Sequence, residues 1–197
     1  MILSVLIIAP VLWVTRTEYA TYFEGAQFIH FLLGPATIAL ALPLWDNRET
    51  IRTSVAPILL ALVAGSVTAA GSAILLAQAF GLSTDVILSL TPKSTTAPVA
   101  LGISEAVGGL PALTAVLVIL TGIIGAVIVT PLMTVLRIKD WRARGFSVGL
   151  ASHGIGTARA FQVNPTAGAY AGIAMALNAL PTSLIVPVLV RWLIWPR

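Results

Sequence analysis

Lys93 stands between Pro92 and Pro98 and is followed directly by Ser94, Thr95 and Thr96. One full positive charge and three hydroxyls thus interrupt a strongly apolar stretch. The flanking prolines exclude a plain helix there. A lysine at the centre of a bilayer costs about 2.5–3.5 kcal/mol on insertion scales, so it needs a partner or a purpose. A second polar break follows at Ser152-His153-Gly154-Ile155-Gly156-Thr157-Ala158-Arg159. Lys93 and Arg159 are cations inside otherwise apolar or small-residue segments, which suits an anionic ligand. Ser94-Thr95-Thr96 and Gly154-Ile155-Gly156-Thr157 each read as the start of a helical arm, where free N–H groups favour negative charge. Gly154 and Gly156 let backbone approach a ligand closely. Together these residues describe a pocket for a small carboxylate. The plainer reading is that each cation snorkels to an interface.

Other residues carry paired readings. His153 suits proton coupling, because an imidazole titrates near neutral pH, or it is a neutral ring bonded to backbone. Glu105 is either a proton carrier or the partner of Lys93. Thr121 and Asn178 line the site or join helices. His30, beside Phe31, reads as packed or interfacial. Ser94, Lys93 and His153 lack the local motif of a nucleophilic enzyme, so catalysis is not expected. With no cysteine and two histidines, neither a metal site nor a cofactor is expected.

The elements that hold these residues are set by composition. The chain has 197 residues, 58% hydrophobic and 9% charged, with a mean hydropathy of +1.00. A soluble domain carries about 25% charged residues, so this reads as a polytopic membrane protein. Long apolar runs point to helices rather than a barrel of short alternating strands. The net charge of +4 fits basic cytoplasmic loops and not nucleic-acid binding.

A single membrane domain, 1–197, is expected. Residues 1–14 are apolar but shorter than a span of about 20 residues, and read as a membrane helix rather than a signal peptide. A second span is expected at 27–45, interrupted at Gly34-Pro35, and a third at 54–80 with small residues spaced for close packing. The broken element 82–107 has arms about half a bilayer long. Gly108-Gly109-Leu110-Pro111 is a turn, 112–136 a full span, and 137–144 the most basic loop. The second broken element is 145–162, and the last span is 166–192.

A shift of 57 or 58 residues overlays the second half on itself. Ser94 falls near Ser152, Thr121 on Asn178, and Pro131 near Pro187. The pattern-level repeat, 82–137 and 142–195, is the mark of an inverted-repeat transporter-like bundle, with broken helices meeting near the midplane. The loops at Arg48/Arg52 and 137–144 are both basic, so both should face the cytoplasm. An even number of crossings must separate them. That favours re-entrant hairpins over unwound, fully spanning helices.

Four stretches carry a family resemblance: Phe31-Leu32-Leu33-Gly34-Pro35-Ala36-Thr37-Ile38-Ala39-Leu40-Ala41-Leu42-Pro43-Leu44, Pro92-Lys93-Ser94-Thr95-Thr96-Ala97-Pro98, Gly108-Gly109-Leu110-Pro111 and Ala151-Ser152-His153-Gly154-Ile155-Gly156-Thr157-Ala158-Arg159. In this order they resemble the LrgB/CidB family, whose N-terminus looks slightly longer. The resemblance implies a multi-pass protein of the bacterial cell membrane, paired with a smaller LrgA/CidA-type membrane protein. It also implies one of two activities. One is a holin-like or antiholin-like role in murein hydrolase export, autolysis and cell death. The other is carriage of small carboxylates such as pyruvate, glycolate or glycerate, as in the plastid glycolate/glycerate translocator. Carriage agrees with the repeat and the cations and is the first expectation. The partners expected are the carboxylate anion, the LrgA-type protein, the bilayer and a homo-oligomer.

Overall fold

The computed structural model describes residues 2–18, 21–22, 24–25, 28, 31, 35 and 41–194. The chain forms two compact units, residues 1–39 and 40–197. In the first, α1 (Ile2–Thr15) carries Pro10 inside the helix. Its 14 residues reach about 21 Å, against a hydrocarbon core of about 30 Å. Of the second expected span, most lies outside the described residues, including His30 and Gly34.

The described residues of the second unit form helices joined by short turns, with no strand among them. Two short helices, α2 (Ala41–Asp46) and α3 (Arg48–Thr53), lead into α4 (Val55–Ala79). Then follow α5 (Thr84–Leu90), α6 (Ala97–Ala106), α7 (Pro111–Val135), α8 (Trp141–Val163) and α9 (Pro165–Leu193). Helices α4, α7 and α9 are long and apolar enough to cross a membrane. At 25, 25 and 29 residues they reach about 37–43 Å. Without water in the bilayer core, helices satisfy every backbone group within one segment, which is why apolar runs of this length take that form.

Local sequence fixes where these helices start and stop. Asn164 caps α9, its Oδ1 accepting the N–H groups of Thr166 and Ala167 at 2.9 and 3.1 Å, with Pro165 next at the first helical position. Asp140 caps α8 by accepting the Arg142 N–H. Gly108, at φ +81°, turns the chain out of α6 before Pro111 opens α7.

Helices α5 and α6 are separated by the non-helical residues 91–96. The chain then returns on itself: the Leu110 N–H donates to Ser89 Oγ at 2.8 Å, and Thr114 Oγ1 donates to the Ser89 carbonyl at 3.0 Å and shares a 2.7 Å hydroxyl–hydroxyl bond with Ser104 Oγ. Helix α8 is bent at His153, whose φ of 42° and ψ of −137° are non-helical. Its two arms touch, since a Cβ at Gly156 would meet Val148 Cγ1 at 2.8 Å. Both arms lie on the first half of α9. Gly145 and Gly149 pack directly on the backbone of Ala167 and Ala171, and Phe161 packs on Gly168.

A core of Ala70, Ile74, Ala77, Ile87, Leu88, Ile103, Val107, Val186 and Val190 joins the ends of α4, α5, α6 and α9. At the opposite end, Ser54 and Pro57 share a cavity wall with Asp140 and Arg142. The two basic stretches, 48–52 and 137–144, therefore lie at one end of this unit.

Candidate functional site

Both breaks fall at the middle of the long helices. Asn178, near the centre of α9, ties them together. Its Nδ2 donates to the Ser94 carbonyl in the first break and to the Leu150 carbonyl just before the second, each at 3.3 Å. Its Oδ1 accepts from Ser66 Oγ of α4 at 2.8 Å and from Thr182 Oγ1 at 3.1 Å. The side chain is buried, so every polar atom on it needs a partner, and each has one.

A cavity of about 730 Å³ lies beside this tie. One wall is α4 from Ala61 to Ala69, the other α7 from Thr121 to Val129. The first arm of α8, from Phe146 to Ser152, and the pair Lys93-Ser94 complete it. Lys93 Nζ donates to Ser94 Oγ at 3.3 Å. The one ion pair among the described residues is Arg142–Asp140, so Lys93 has no carboxylate partner there.

Of the candidate residues, the cavity gathers Lys93, Ser94, Thr121 and Ser152. Thr95 and Thr96 are buried in the same break, outside the cavity lining, and neither hydroxyl has a hydrogen-bond partner. Asn178 joins helices rather than lining the cavity. Glu105 is exposed on α6 and makes no ion pair with Lys93. Arg159 is exposed on the second arm of α8, donates to Gln162 Oε1 at 3.2 Å, and does not line the cavity. Gly154 is exposed and faces Met175, Gly156 is packed between the two arms, and Thr157 Oγ1 donates to the His153 carbonyl at 2.8 Å.

His153 is the pivot of the second break. Its Nε2 lies 2.8 Å from the Val118 carbonyl of α7. A carbonyl only accepts, so Nε2 carries the proton of this bond. The ring fits because Gly122 has no side chain: a Cβ there would lie 2.7 Å from His153 Cε1. Gly125 makes the same room for Ser152, whose hydroxyl a Cβ would overlap. Gly65 admits Leu150 in the same way. These glycines were read from sequence only as generic small residues or left without a role. Which residue stands opposite each of them is set by the fold, so no signal in the sequence marked them.

The match to the LrgB-like family model runs over residues 1–192, from the first helix through both breaks and the last span. The chain belongs to the LrgB-like family. Holin-like protein CidB of Staphylococcus aureus is 35% identical over 180 residues, covering 91% of this chain and 79% of that protein. YwbG of Bacillus subtilis is 35% identical over 187 residues, 95% and 83% of the two chains. A protein of Haemophilus influenzae is 37% identical over 186 residues, 94% and 80%. No solved structure matches. With three helices able to cross a bilayer, this LrgB-like chain is a multi-pass protein of the bacterial cell membrane.

Proposed function

We propose that this chain acts as a holin-like or antiholin-like membrane protein, modulating murein hydrolase export, autolysis and cell death. The observation that carries this reading is the family match over nearly the whole chain, with relatives named holin-like protein CidB. A smaller membrane protein of the LrgA/CidA type is its expected partner.

One feature of the geometry favours a second reading, passage of small monocarboxylates such as pyruvate, glycolate or glycerate. Lys93, with no carboxylate partner among the described residues, lines a mid-depth cavity whose other polar side chains are the hydroxyls of Ser94, Thr121, Ser152, Thr68 and Ser147 and whose remaining wall is apolar. A lytic hole has no need of a half-buried cation at mid-depth, whereas an anion site does. In this reading 82–107 and 145–162 are re-entrant hairpins entering from opposite faces, and 82–137 and 142–195 are inverted copies. Supporting it, Ser89 and Ser104 both meet the start of α7 at Thr114, as Gly149 and Phe161 meet the start of α9. In this reading Lys93, Ser94, Thr121 and Ser152 bind the anion, and His153, next to Ser152 in the chain but outside the cavity lining, is the candidate for proton coupling.

Reconstitution separates the two. Proteoliposomes are assayed for labelled pyruvate, glycolate and glycerate uptake and for release of an uncharged dye, with and without an LrgA-type protein. Saturable uptake, lost in Lys93→Ala and kept in Arg159→Ala, selects the carrier. Unsaturable dye release unchanged in Lys93→Ala selects the holin-like hole.

A further inference from the structure

A second cavity, of about 420 Å³, adjoins the first. Ala61, Phe146 and Ser147 belong to both walls. The walls continue in register from one cavity to the next. Along α4 the second cavity begins at Ser54 and hands over to the first at Ala61, which extends to Ala69. Along the first arm of α8, it begins at Asp140 and hands over at Phe146 and Ser147, and the first extends to Ser152. Two independent stretches of chain thus run in step from the basic 137–144 loop to Lys93.

Of the three shared residues, two are small. Phe146 alone can obstruct the junction. Its ring packs against the cluster of Ile58, Leu62, Leu150 and Ala174. Its backbone is held by the neighbours Gly145 and Gly149, which lie directly on the backbone of α9. With the arm fixed in this way, opening the junction requires only rotation of the Phe146 side chain away from that cluster, and not movement of the arm. We infer that the two cavities form one access route from the basic-loop end to Lys93, and that the Phe146 ring is its gate. The inference rests on reading the Lys93 cavity as a solute site, and it adds the side from which a small anion reaches it.

The chain contains no cysteine, so single reporters can be placed without background. Thr121→Cys reports the inner cavity and Lys139→Cys reports the loop end. The probe is an anionic, membrane-impermeant methanethiosulfonate, applied to each face of oriented vesicles of the full chain. Thr121→Cys should react from the face that labels Lys139→Cys. A ring that blocks the route about nine-tenths of the time predicts a rate about tenfold higher with Phe146→Ala added, and a lower rate with Phe146→Trp. If Phe146→Ala does not fold, Phe146→Leu and Phe146→Trp carry the comparison. Labelling from the opposite face only, or equal rates across the Phe146 variants, overturns the gate. Labelling requires no transport, so an absence of carboxylate uptake would count against the carrier reading and leave this result standing.

Discussion

Asn178→Ala tests the tie between the two breaks. It removes four hydrogen bonds, two to the carbonyls of Ser94 and Leu150 and two from Ser66 and Thr182. Polar contacts between membrane helices average about 0.6 kcal/mol each, so four are worth about 2.4 kcal/mol. The two bonds at 3.3 Å are long and lower that sum, while the void left at a fully packed site raises it. A loss of about 2–3 kcal/mol is expected. The assay is unfolding in mixed detergent micelles, followed through the five tryptophans. Ser66→Ala, which removes one of the four bonds, should cost about 0.6 kcal/mol, and the double variant should show coupling of similar size. A loss under about 0.5 kcal/mol for Asn178→Ala would refute the reasoning. The breaks would then be held by glycine-mediated packing alone.

Three further outcomes are expected. Gly125→Ala places a methyl group on the Ser152 hydroxyl and should cost about 1–3 kcal/mol, largely restored by adding Ser152→Gly, with thermal unfolding as the readout. His153→Ala and His153→Gly both lose the bond to Val118, yet only glycine is at ease at φ 42°. His153→Gly should therefore be more stable than His153→Ala by about 1 kcal/mol, and equal stabilities would show that the bend is unstrained. At the exposed start of α8, hydrogen bonds from Arg142 hold the Asp140 carboxyl down to about 2. A depressed carboxylate contributes stability that is present above its unfolded value of 3.8 and lost as pH falls through about 2. Asp140→Asn should thus leave the pH dependence of unfolding unchanged between pH 5 and 8 and alter it only below about 4.

The two breaks were legible because each violates a rule that apolar helices obey. Prolines around Lys93 and a run of glycines and hydroxyls around His153 cannot continue a plain membrane span. The long helices were legible from length and apolarity. Side-chain direction was not. Lys93 and Arg159 looked alike as sequence, since each is one cation in a polar break. Six residues beyond the bend, Arg159 is exposed on its arm, whereas Lys93 lies in the non-helical break itself and lines the cavity. Nor could composition separate the roles of Thr121 and Asn178. Both occupy the middle of a long helix, but α7 meets a cavity there and α9 meets two interrupted backbones. The close approaches at Gly65, Gly122 and Gly125 depend on which residue stands opposite, and that is a property of the fold.

A helix broken in mid-membrane leaves backbone N–H and C=O groups without their usual partners, and lipid satisfies neither. The fold answers part of that demand directly: Asn178 takes up a carbonyl at each break, and Thr157 Oγ1 takes up the His153 carbonyl at the bend. It leaves another part open. Thr95 and Thr96 have no hydrogen-bond partner, and Lys93 has only a neighbouring hydroxyl. A purely structural break would gain stability by pairing these groups or replacing them with apolar ones. Lys93 and Ser94 line a cavity of about 730 Å³, with Thr95 and Thr96 buried in the same break, and that is what a reusable polar site requires: a charge held in place by the protein but completed by something that comes and goes. A wide lytic hole would bathe the same groups in water at all times and would need no such supports. The Lys93→Ala uptake experiment therefore decides more than one residue's role, because it asks whether the unpaired polarity at the tip serves binding at all.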